Sequence, residues 1–129
     1  MVKKLLPVLM LGLAMAGCTT TTSVTNLTPK REFRNENGFY PIEAAFHSSQ
    51  QSLRWETVKP EVIIEKDVYP MRFTPLMTNR WETLIPVPPG NNVVYYRFKF
   101  DYKYNAFGAP PQPDSTLSPI YRLQIIDKQ

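Results

Sequence analysis

One cysteine, one histidine and five glycines in 129 residues leave little material for the commoner site chemistries. With Cys18 alone, an internal disulfide is excluded. Zinc sites draw on three or four His or Cys ligands, more than His47 and Cys18 can supply. Calcium loops cluster their acids, whereas Glu65, Asp67, Asp114 and Asp127 are scattered. A nucleophile needs a base beside it, and neither a Gly-x-Ser-x-Gly elbow nor a glycine-rich phosphate loop occurs. Glu43, Glu56, Glu82 or Asp101 could in principle pair for glycoside cleavage, but the sequence shows no cleft in which to place them. The net charge of +4, lower still if an amino-terminal signal with Lys3 and Lys4 is removed, does not suggest a nucleic-acid binder. No stretch keeps a helical period, and the 13 prolines would break helices at short intervals. These absences point away from an enzyme, and no cofactor is expected.

What is present begins with a three-part amino terminus. Met1 to Lys4 is short and positive, Leu5 to Ala16 is apolar, and small residues precede Cys18. This is the build of an export signal, too short to span a bilayer. Met15-Ala16-Gly17-Cys18 resembles the lipobox of bacterial lipoproteins, with Met in place of the usual Leu. The resemblance implies cleavage before Cys18 and a diacylglycerol thioether on its sulfur. Residues 1–17 would then be the signal and 18–23 a Thr-rich tether. A domain would follow over residues 24–129. Loss of Lys3 and Lys4 would lower the net charge from +4 to +2. Thr19, rather than Asp, after the cysteine resembles the pattern directed to the outer membrane of two-membrane bacteria.

Beyond the tether, short strands are expected. Val24 to Leu27 is the first, followed by a polar loop from Lys30 to Asn37 and a turn at Asn37-Gly38. Tyr40, Ile42, Ala44 and Phe46 alternate with polar or small residues, the period of a half-buried strand. Leu53 to Val58 and Val62 to Ile64 read as separate strands, the second paired with Val68 to Phe73 across Glu65-Lys66-Asp67. Trp81, Thr83 and Ile85 form another. Val93 to Tyr104 is the clearest, with Val94, Tyr96, Phe98, Phe100, Tyr102 and Tyr104 on one face. The opposite face holds Tyr95, Arg97, Lys99, Asp101 and Lys103. A loop from Asn105 to Ser118 and a strand from Ile120 to Ile126 complete the chain.

About seven short strands without helices predict a single antiparallel β-sandwich. The strand Trp81 to Ile85, its Pro-rich turn to Gly90, and Tyr96-Arg97-Phe98-Lys99-Phe100-Asp101 carry a resemblance to the immunoglobulin-like class. They lie nearer its enzyme-associated early-set branch, and starch- and glycogen-binding modules show the same order. The match covers about a fifth of the chain and implies a fold rather than a ligand.

Two readings of function follow. One is a non-catalytic envelope lipoprotein that serves as an accessory interaction module. Its partners would be the membrane, through Cys18, and an envelope protein met by a sheet face or the 105–118 loop. The other is a polysaccharide binder that stacks Trp55, Trp81 or Tyr95 on pyranose rings, although a buried Trp is also a hallmark of sandwiches. The stripe Tyr95, Arg97, Lys99 and Lys103 could instead face an anionic partner. Arg54-Trp55-Glu56-Thr57 recurs as Arg80-Trp81-Glu82-Thr83, which suggests two strands with similar ends rather than a repeat array.

Overall fold

The computed structural model describes residues 21–128. The signal, the lipobox and Cys18 lie outside them. Within the described residues the chain is all β, a sandwich of two sheets. There are ten strands rather than about seven: β1 (Thr22–Asn26), β2 (Arg31–Phe33), β3 (Phe39–Ser48), β4 (Leu53–Ile64), β5 (Asp67–Pro70), β6 (Arg72–Phe73), β7 (Arg80–Pro86), β8 (Val93–Tyr104), β9 (Gln112–Leu117) and β10 (Tyr121–Ile126).

One sheet runs β1-β3-β7-β6 and the other β2-β10-β8-β4-β5, with β9 beside the second half of β8. The β2–β10 pair is parallel and all others are antiparallel. The orders β1-β3-β7-β6 and β10-β8-β4 resemble the A-B-E-D and G-F-C orders of immunoglobulin-type sandwiches, with β9 added in sequence between β8 and β10.

The extra strands arise where side-chain alternation is weak. β2 lies inside the expected polar loop 30–37, and β9 occupies half of the expected loop 105–118. Both are held by backbone pairing to β10 and β8. The two strands expected on either side of Lys59 are one strand, β4, whose register against β8 shifts between Arg54 and Lys59. Pro60 follows that irregularity, where a missing N–H is tolerated. Met71 lies between β5 and β6 and carries the chain from one sheet to the other; its N–H donates to Pro60 O at 2.9 Å.

The alternating faces expected for β3, β7, β8 and β10 meet between the sheets. Ile42, Phe46, Trp81, Ile85, Phe98, Phe100 and Leu123 are all buried there. Hydroxyls close gaps in the ladders. The Phe98 N–H donates to Ser118 Oγ at 2.8 Å, and the Lys103 N–H donates to Thr57 Oγ1 at 2.8 Å beside the β4 irregularity. Thr28 Oγ1 donates to Glu43 O at 3.1 Å and accepts from Glu43 N at 2.9 Å, just past β1. The edge strands β2, β5 and β6 have only three, four and two residues. Short edges resist pairing with other chains.

The topology sorts the loops to two ends. One end gathers the start of β1 at Thr22 with the connections 49–52, 74–79 and 105–111. The far end gathers 27–38, 65–66, 87–92 and the residues after β10.

Candidate functional site

Strand parity turns the β8 stripe outward. Tyr95 is 60% exposed there. Two of the cations along it, Arg97 and Lys99, are engaged. Arg97 donates through Nε and Nη2 to Ser118 O at 3.2 and 2.8 Å, which ties it to the β9–β10 connection. Lys99 Nζ lies 3.7 Å from Asp101 Oδ2, and Glu61 stands opposite Lys99 in register. Of the expected row of cations, Arg97 is tied to a carbonyl and Lys99 faces carboxylates, whereas Lys103 is exposed; the phenol of Tyr95 projects from the same face.

The two tryptophans separate. Trp81 is 2% exposed, covered by Phe73 at 4.6 Å between ring centroids and edge-on to Phe100 at 5.5 Å. Expected as a contact residue, it lies instead in the core with Phe73 over its ring. Trp55 is 43% exposed, edge-on to Phe46 at 5.9 Å. With His47, Phe73, Met77 and Asn79 it lines a groove of about 370 Å³ at the Thr22 end. His47 is exposed, as its strand position predicts, with Nδ1 3.4 Å from Asn79 Nδ2.

Tyr95 lines a groove of about 330 Å³ at the far end, together with Glu65, Asp67, Tyr69 and Asn91. It combines an aromatic face with carboxylates and an amide, groups that stack on and bond to a polyhydroxylated ring. Glu65 is held there at φ 54°, a left-handed conformation that a long side chain adopts at a cost.

A third groove, of about 540 Å³, opens along the side between β1 and β10. Lys30, Arg31 and Arg122 line it without a carboxylate among the lining residues. At its base Asn26 Nδ2 donates to Tyr96 Oη at 2.8 Å. Burial pushes the Tyr96 phenol above its usual range, partly offset by that hydrogen bond. Sequence reading missed this groove because its cations come from the β1–β2 region and from β10, far apart in the chain.

Among the described residues no three His, Cys, Asp or Glu side chains gather as a metal site requires. None of them forms a helix long and apolar enough to cross a membrane. Comparison with protein-family models, with curated proteins and with solved structures matched none of them.

Proposed function

We propose that this chain is a lipid-anchored protein of the bacterial cell envelope, facing the outer membrane where two membranes exist. Its sandwich acts as a non-catalytic accessory module for a protein partner. The observation that carries this reading is the order of the amino terminus: a positive region, an apolar run and Met15-Ala16-Gly17-Cys18, four residues before β1 begins at Thr22. Mass analysis of the amino-terminal peptide from membranes tests it. The expected peptide begins at Cys18 and carries diacylglycerol on sulfur; one that begins at Met1 with an unmodified thiol overturns the anchor. Affinity capture of the lipidated chain from gently solubilised membranes is expected to recover one protein in fixed stoichiometry. Recovery of the chain alone counts against the accessory role.

A second reading, polysaccharide binding, is favoured by the Tyr95 groove with Glu65, Asp67 and Asn91 on its walls. Retardation in gels that contain soluble α-glucans or envelope polysaccharides, lost in Tyr95→Ala, is its expected signature. Tyr95 is the suitable variant because its ring is exposed, whereas loss of Trp81 would disturb the core. Equal mobility across the panel removes this reading.

A further inference from the structure

The end of the sandwich that holds Thr22 is apolar at its tips and carries no charge in its loops. Residues 48–52, 74–79 and 105–111 contain no Asp, Glu, Lys or Arg. The far end differs: residues 30–36, 65–67 and 127–128 contain Lys30, Arg31, Glu32, Arg34, Glu36, Glu65, Lys66, Asp67, Asp127 and Lys128. Two uncharged loops project large apolar side chains with no cover. Leu76 is 105% exposed and Phe107 is 108% exposed relative to an open chain. Phe73, Met77 and Trp55 are also exposed at this end.

Leu76 is displayed at the expense of its backbone. Pro75-Leu76 is the centre of a turn closed by the Met77 N–H donating to Thr74 O at 3.2 Å, and Leu76 has φ 63°. Glycine or asparagine suits that position; leucine there gains no packing and pays a conformational cost. A solvent-exposed turn has no folding reason to hold leucine.

The amino-terminal chain leaves from the same end. The Ser49 N–H donates to Thr21 O at 2.8 Å, which fixes Thr21 beside the 49–52 connection. Cys18 is three residues earlier, so its Cα lies within about 11 Å of Thr21 even when the backbone is fully extended.

We infer that the Thr22 end of the sandwich docks on the lipid surface that holds Cys18, inserting Leu76 and Phe107 among the headgroups and upper acyl chains. The inference rests on the anchor reading. Its occupant follows from the short tether and the uncharged rim, because an apolar patch without ionic groups can enter the interface without stripping water from a charge. Arg80 and Lys103 stand behind the tips on strand ends, where they can meet headgroup phosphates, while Arg72 and Arg54 beside them lie against Glu82 and Glu56.

The test uses the mature lipidated chain reconstituted in phosphatidylcholine vesicles with brominated acyl chains. Trp55 emission is expected to be quenched there relative to unbrominated vesicles, while buried Trp81 serves as the unquenched reference. Leu76→Asn with Phe107→Asn is expected to abolish the quenching at an unchanged level of acylation; neither side chain makes a native contact whose loss would unfold the chain. An acylated protein with unquenched Trp55 overturns docking and leaves the anchor standing. A chain without acyl mass overturns both. Loss of a dimer in the tip variants, with Trp55 never quenched by lipid, overturns docking in favour of a second copy of the chain.

Discussion

Phe46 on β3 and Phe100 on β8 stack across the two sheets, 4.8 Å between ring centroids and 4° from parallel. By strand order the two resemble the pair that a disulfide joins in antibody domains. Here two rings pin the sheets together without sulfur. Truncation to Phe100→Ala is expected to cost about 3–5 kcal/mol, read as a shift in the urea midpoint. A double-mutant cycle with Phe46→Ala should show coupling of about 0.5–1.5 kcal/mol beyond the area lost.

Ser118 acts as a backbone surrogate. It is buried, it accepts from the Phe98 N–H, and it donates to Pro119 O at 2.8 Å. Ser118→Ala leaves the Phe98 donor unpaired in the core, with an expected loss of about 1–3 kcal/mol by chemical denaturation. Because Arg97 bonds Ser118 O rather than its hydroxyl, that ion–carbonyl contact should survive.

The two indoles should report separately. Acrylamide is expected to quench wild-type fluorescence in two components, one from Trp55 and a resistant one from Trp81. In Trp55→Phe the accessible component disappears and the remaining emission moves to the blue. Two equally accessible indoles would contradict the burial of Trp81 beneath Phe73.

Tyr96 makes stability pH-dependent on the alkaline side. Burial raises its pKa in the folded chain above the ordinary value of 10.0, so the unfolded chain loses that proton first. The stabilisation is complete below pH 10 and is lost as pH climbs through the unfolded and then the folded value. In Tyr96→Phe the alkaline decline should be shallower. Loss of the Asn26 hydrogen bond should lower stability near neutrality by about 1 kcal/mol.

Leu76→Asn should raise stability by about 1 kcal/mol, since Asn tolerates the left-handed backbone better and the exposed leucine makes no packing contact. An increase in thermal midpoint is the expected reading. A decrease would mean that the side chain packs against something in the folded chain.

Strand parity made most of β8 legible: its bounds, its buried row from Val94 to Tyr102 and the exposure of Tyr95 follow from alternation, while Tyr104, expected in that row, is only half-buried at the strand's end. β9 was hidden because Gln112-Pro113-Asp114-Ser115-Thr116-Leu117 shows no buried row; backbone pairing with β8 holds it. β2 was hidden for the same reason. Pro60 disguised β4 as two strands, although the irregularity before it lets one strand continue. The shared Arg-Trp-Glu-Thr motif could not tell Trp55 from Trp81. The first lies in the irregular part of β4, the second in the regular β3–β7 ladder. Nor could local pattern show that Arg97 is tied down, because the carbonyl that holds it lies 21 residues away.

The unbroken length of β8 sets a height. Its twelve residues, at about 3.3 Å each, span about 40 Å from the loops near Thr22 to those near Asn92. A domain gripped by its amino-terminal end would stand like a post, lifting the tyrosine groove clear of the surface below and toward molecules that never touch that surface.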